Sequence, residues 1–204
     1  MRKISLFVLL LLGLSAAPAA AQTIGFKIGP TFSKMDIEDD DTAETLTNFG
    51  GGGFIRFGFA GLSLQAELLA LTKGAESTDD VNNITTKLKM TYVEVPVTAM
   101  FSLGAGPYIF AGPSVAFEVS CDAEVEGDGG SLEAECGDEF PRKELDVSLH
   151  GGAGFQFPMG PGNLLLEGRY IYGLTDLNDD EADPTSVKHR TWAVMAGYAI
   201  RLGL

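Results

Sequence analysis

The stretch Leu164–Leu174, LLLEGRYIYGL, sets a glutamate and an arginine two residues apart inside an otherwise apolar run. On a helix Glu167 and Arg169 would project in different directions; on a strand, where successive side chains alternate faces, they share one. The opposite face is then Leu164, Leu166, Gly168, Tyr170 and Tyr172. One side of this segment meets an apolar surrounding while the other looks into something polar.

The same period of two recurs along the chain. Ile24, Phe26, Ile28, Pro30 and Phe32 alternate with Gly25, Lys27, Gly29, Thr31 and Ser33, and Ile55, Phe57 and Phe59 with Phe54, Arg56 and Gly58. Leu62 to Leu68 alternate with Ser63, Gln65 and Glu67, and Val93 to Phe101 with Tyr92, Glu94, Pro96, Thr98 and Met100. Ile109, Ala111, Val115, Phe117 and Val119 oppose Gly112 and Ser114; Leu145 to Phe157 oppose Asp146, Ser148, His150 and Gln156; Trp192 to Leu204 oppose Ala193, Met195, Gly197, Ala199 and Arg201. Leu88 and Met90 fall out of phase, which predicts a bulge or the end of the buried zone near Thr91.

Eight strands result, with short turns at Ala60-Gly61, Gly104 to Pro107 and Pro158 to Gly162 alternating with four long polar loops. Bacterial outer-membrane barrels are wired in this way. The expected fold is all-β: an eight-stranded antiparallel up-and-down transmembrane β-barrel with short periplasmic turns and four longer acidic extracellular loops. A soluble barrel of the lipocalin type would reverse the polarity, forcing Trp192, Tyr198, Phe26 and Phe57 into a narrow lumen and leaving the glycines outside.

The faces opposite the apolar ones carry Lys27, Arg56, Glu67, Glu94, Asp146, Glu167, Arg169 and Arg201, four cations and four carboxylates. A balanced set suits a closed lumen, where an unpaired charge is costly and paired, hydrogen-bonded charges are tolerated. An Arg or Lys at the middle of the lipid face would cost about 2–4 kcal/mol, and the centre of each apolar face is free of charge.

Residues 1–21, MRKISLFVLLLLGLSAAPAAA, read as a secretory signal: Arg2 and Lys3, an apolar stretch from Ile4 to Leu14, and small residues ending Ala19-Ala20-Ala21. The alternative, an uncleaved anchor helix, has the wrong length and flanks. Residues 22–204 are then a single barrel domain, and no later apolar run approaches the 18 or so residues of a spanning helix. The formal net charge is −14. It is concentrated in the long loops, since residues 35–48, 75–86, 120–144 and 176–190 together carry −19 and the remainder +5. Such acidity excludes a nucleic-acid partner and describes a solvated extracellular crown. Divalent cations bridging that crown to lipopolysaccharide are the sharper reading, but DIEDDDTAE lacks the glycine at the sixth position of a calcium loop.

Other motifs carry little chemistry. GGAGFQF lies within a strand without lysine, partner helix or repeat period, so it is read as small residues packing inside a barrel. Asp146, Ser148 and His150 lie on one strand at spacing two, neighbours at about 7 Å rather than a hydrogen-bonded relay. His189, between Lys188 and Arg190, is read as a loop or interface residue. No catalytic residue, metal site or cofactor is expected. Cys121 and Cys136, the only cysteines, share the longest acidic loop of an exported chain, and a disulfide between them is expected.

At YVEVPV, PYIFAGPSVAF, LDVSLHGGAGFQF and EGRYIYGLTDL the chain resembles the PorT-like group of small bacterial outer-membrane β-barrel proteins, similar in architecture to OmpX. The resemblance spans essentially all of residues 22–204 and implies an eight-stranded barrel in the cell outer membrane. The named member of that group is associated with a secretion apparatus. The functional expectation is a non-enzymatic integral membrane protein acting through its acidic loops in adhesion, envelope integrity or secretion. Its expected partners are outer-membrane lipid and lipopolysaccharide, the barrel assembly machinery during biogenesis, and an extracellular or secretion-system protein. A barrel enzyme acting on lipid and a narrow ion-leak channel are the alternatives.

Overall fold

Alternating apolar and small or polar residues can satisfy lipid on one side and a filled interior on the other only if every strand pairs along both edges. The computed structural model describes residues 22–37, 45–59, 61–79, 84–127, 130–136, 145–176 and 187–202; the leader read at residues 1–21 lies outside them. These residues form β1 (Gln22–Ile37), β2 (Leu46–Phe59), β3 (Leu62–Asp79), β4 (Ile84–Ser102), β5 (Pro107–Gly127), β6 (Gly130–Glu135), β7 (Leu145–Met159), β8 (Gly162–Gly173) and β9 (Val187–Leu202). No helix occurs among them.

The pairing order β4-β3-β2-β1-β9-β8-β7-β5, with β4 also paired to β5, closes an eight-stranded antiparallel ring. The ninth strand, β6, lies outside the ring and pairs only with β5. Strands of 12 to 21 residues outside this short one exceed the roughly 9–11 needed to cross a bilayer. The excess gathers at the long-loop end, where β3, β4 and β5 continue past the ring.

This corrects the sequence reading of the loops. Residues 75–79 and 84–86 are paired strand rather than loop, as are 121–126 against β4. With β6 they make a four-stranded antiparallel projection above the barrel. Apolar alternation fades there because both faces leave the lipid and the packed lumen.

The faces sort as alternation requires. Phe26 and Trp192 are 58% and 61% exposed on the outside, whereas Lys27 and Ala193 beside them are buried. Phe155, Phe157, Phe101 and Tyr198 belt the short-turn end, and Phe32, Tyr170, Tyr172 and Trp192 the long-loop end, the paired aromatic girdles of membrane barrels.

An irregularity sits between Thr91 and Tyr92, but it belongs to β5. Thr91 pairs with Ser120 and Tyr92 with Glu118, so Val119 is the additional residue. β4 keeps its phase, and Met90 is buried with Tyr92 instead of falling out of register. The bulge reverses the facing of β5: Ser114 and Ala116 point inward before it, Cys121 after it. It lies just beyond Phe117, the last β5 residue paired to β7, where β5 leaves the ring.

Candidate functional site: the lumenal charge network and its cap

The interior is filled by side chains. Towards the short-turn end, rings from one strand lie over glycines of the next: Tyr108 pairs with Gly154 and Phe110 with Gly152. A Cβ at Gly154 would come within 2.4 Å of the Tyr108 ring, and one at Gly152 within 2.6 Å of the Phe110 ring. The glycines of GGAGFQF are therefore the floor on which these rings rest, a cross-strand device that compensates for missing side chains.

Arg169 is the centre of the network. Its Nε and Nη2 donate to Glu167 Oε1 at 3.1 and 2.8 Å, and Nη2 also donates to Glu67 at 2.7 and 2.9 Å. Lys27 Nζ donates to both Glu167 oxygens, at 3.2 and 2.9 Å, and lies 3.5 Å from Glu67. Tyr108 donates its hydroxyl to Glu167. Arg56 joins through an intermediary: its Nε donates to Gln65, whose amide donates to Glu67. The Arg56 guanidinium also lies over the rings of Phe54 and Tyr108, and Lys27 over Phe54.

A second cluster lies closer to the long-loop end. Lys73 pairs with Glu94 and, at 3.1 Å, with Asp146, and its ammonium lies over the Tyr92 ring. His150 connects the clusters, with Nδ1 3.1 Å from Arg169 Nη1 and Nε2 3.1 Å from Glu94 Oε2. An arginine can only donate, so Nδ1 is the acceptor and Nε2 carries the proton facing Glu94. Both ring nitrogens are thus engaged, and neither serves Ser148.

Of the eight charges read as lumenal, Lys27, Arg56, Glu67, Glu94, Asp146, Glu167 and Arg169 are buried. Arg201 is not: it is exposed and lines a cavity of about 230 Å³ at the short-turn mouth with Thr23, Gln156 and Asn163. The wall ends near Arg201, so water reaches it. Its place in the balance is taken by Lys73, fully buried and missed because it follows the last clear apolar alternation of β3. His189 also differs from its reading as a loop residue. It is buried in the lumen with its ring edge-on to Tyr92, 5.6 Å between centroids.

The long-loop mouth is capped by apolar and sulfur groups: Met35, Met90, Tyr92, Ala116 and Cys121, with Leu88 and Cys136 against them. A disulfide joins Cys121 to Cys136, with Cα atoms 5.3 Å apart, and Cys136 N–H donates to the Cys121 carbonyl. The bulge that turns Cys121 inward therefore makes this bond part of the cap. Beyond it, Lys87 pairs with Glu126 at 2.6 Å and Lys89 with Glu124 at 2.5 Å. The hydrogen bond from Lys89 holds the Glu124 carboxyl below its usual range, and that with Glu126 raises Lys87.

Closed ring, apolar exterior with two aromatic girdles, and a lumen packed with compensated charge together define a small membrane-spanning β-barrel. The chain belongs to the outer membrane protein β-barrel domain family, whose model matches residues 20–179. It is similar in structure to Ail, the attachment invasion locus protein of Yersinia pestis, solved in complex with the heparin analogue sucrose octasulfate. That pair has 19% identity and a TM-score of 0.48 over 89% of this chain and 99% of that one. Neisserial surface protein A is 12% identical, with a TM-score of 0.48 over 88% and 97% of the two chains. OprG from Pseudomonas aeruginosa is 13% identical, with a TM-score of 0.46 over 91% and 97%. None of the curated proteins matches the chain in sequence.

Proposed function

We propose that this outer-membrane barrel is a non-enzymatic surface protein whose acidic projection, formed by β3 to β6, engages a basic extracellular partner. The observation that carries the reading is the projection itself. It is regular sheet rather than loose loop, tied by the Cys121–Cys136 disulfide and cross-strand ion pairs. Glu118, Asp122, Glu124, Glu126, Glu133 and Glu135 outnumber Lys87 and Lys89 on β4 to β6. Leu132, 79% exposed, provides an apolar contact among those charges. Charge complementarity of this kind steers encounter and selects the partner.

The barrel below favours a scaffold role over chemistry or conduction. Both histidines are buried in the lumen, away from the lipid-exposed edge where a lipid-modifying enzyme needs its base. The ion pairs around Arg169 and Lys73 occupy the axis a leak would follow. With residues 1–21 read as an export leader, the projection faces the outside of the cell. Within the PorT-like reading, the basic partner is a component of a secretion apparatus.

The test uses full-length protein in phosphatidylcholine vesicles and a polylysine-coated surface. Wild-type vesicles bind in a salt-dependent manner, and binding drops at least tenfold when Glu124, Glu126, Glu133 and Glu135 are changed to Gln. Equal binding by wild-type and variant would remove the projection from the interaction. In intact cells, a thiol probe should label Ser131→Cys but not Ala105→Cys; the reverse pattern would invert the orientation.

A further inference from the structure

We propose that the outward face of β1, β8 and β9 at the long-loop rim binds the phosphate of an anionic lipid in the outer leaflet. This rests on the outer-membrane orientation but not on the acidic projection, which lies across the barrel. A cavity of about 480 Å³ opens there, lined by Phe32, Lys34, Thr45, Tyr170, Arg190 and Trp192. The lining offers an ammonium, a guanidinium, two hydroxyls and an indole N–H, and contains no carboxylate. In a chain of net charge −14, that is a donor set suited to an anion.

Register assembles the site. Lys34 and Arg190 are direct partners across β1 and β9, and Phe32 pairs with Trp192 one step closer to the membrane. Arg190 also pairs with Tyr172 across β8 and β9, its guanidinium 3.9 Å from that ring's centroid. Tyr170 and Trp192 are in contact, their rings tilted at 41° with centroids 4.7 Å apart. The result is an aromatic shelf with cations immediately above it, the arrangement a lipid meets where acyl chain gives way to headgroup.

Arg190 is held in place: Nη1 donates to the carbonyls of Gly173 and His189, both at 3.1 Å, and Nη2 pairs with Asp36 at 2.8 Å. Lys34 forms no ion pair among the described residues and stands beside it. On the other side of the rim, Lys87 and Lys89 are each neutralised by a glutamate of β5. Arg190 is likewise paired with Asp36, so Lys34 is the cation of this cavity that is left to meet an anion. The Lys34 ammonium is a point-charge partner for phosphate, and the Arg190 guanidinium, with both Nη atoms engaged, adds positive field beside it.

Trp192 is the chain's only tryptophan and lines the cavity, so its emission reports occupancy. Folded full-length protein is reconstituted in phosphatidylcholine vesicles carrying increasing fractions of bisphosphorylated lipid A. A saturable change in Trp192 emission is expected, with its midpoint raised about tenfold by Lys34→Gln and further by adding Arg190→Gln. Arg201→Gln, which removes a cation at the opposite mouth, should leave the midpoint in place. If the Arg190 variant fails to reach its folded, heat-modifiable form, Lys34→Gln decides. An unchanged midpoint in Lys34→Gln would end the proposal. So would the same change produced by inorganic phosphate at equal concentration, which would identify a soluble anion site, or by dephosphorylated lipid A, which would identify an apolar contact.

Discussion

The ring and the projection are built from the same ladder of hydrogen bonds but are held by different forces. In the ring, each strand is paired on both edges, its outer face meets lipid, and its inner face packs on buried charge. A broken ion pair there leaves a charge that water cannot reach, so the cost is large. In the projection, Lys89 and Glu124 retain contact with solvent, with side chains 31% and 17% exposed. Water replaces what such a pair loses, and the contribution is small. The same chemical pair is therefore structural in one region and nearly incidental in the other, and chain connectivity through the disulfide becomes the main restraint where burial is absent.

The most severe test of this contrast is Arg169→Ala, which abandons Glu67 and Glu167 together. Destabilisation of about 3–5 kcal/mol is expected, measured by urea titration of the folded protein in bilayers. Adding Glu167→Ala should cost less than the sum of the single changes, and strictly additive losses would show that the two charges do not interact.

Reduction of Cys121–Cys136, 15 residues apart, removes a restraint of about 3 kcal/mol in the chain-entropy model. Because the ring closes without β6, proteolysis between Ser120 and Cys136 should accelerate while the heat-modifiable form persists. Unfolding of the whole barrel on mild reduction would instead make the cap part of the ring's stability.

Lys89→Ala should leave global unfolding unchanged and raise only local hydrogen exchange in residues 121–126. The same local loosening should follow acidification. Glu124 has its folded-state pKa lowered by Lys89, so its contribution is present above the ordinary carboxylate range and is lost as pH falls through the folded value. Exchange in the projection that stays constant across that range would mean the pair contributes nothing.

The ring was legible wherever lipid imposed alternation. Glu167 and Arg169 share a face because a strand demands it, and they meet as that geometry allows. Three features were hidden for separate reasons. His189 occupies a strand segment read as loop, and Lys73 follows the last clear apolar alternation of β3, because alternation is lost once the outer face leaves lipid. Met90 read as out of phase because an apolar residue was expected to face lipid, whereas it faces the apolar cap, and the extra residue lies on β5, where β4's own sequence cannot reveal it. Arg201 shares the alternation of the lumenal charges, but alternation says which face a residue takes and not how far the enclosing wall extends. Leu69, Leu71, Ile171 and Met195 line the lumen as apolar groups, so the inner face is only partly polar.

Val119 acts on the outer part of β5 as a reading frame acts on a message. With it, Cys121 faces the axis and Glu124 and Glu126 face outward to the lysines of β4. Excising that one residue would shift every later side chain of β5, and β6 paired to it, to the other face, turning the disulfide away from the apolar cap and the carboxylates toward it. The ring, which ends its β5–β7 pairing at Phe117, would keep its frame. Such a chain can exchange the chemistry presented by its projection in a single insertion or deletion, without rewriting the membrane-embedded wall beneath.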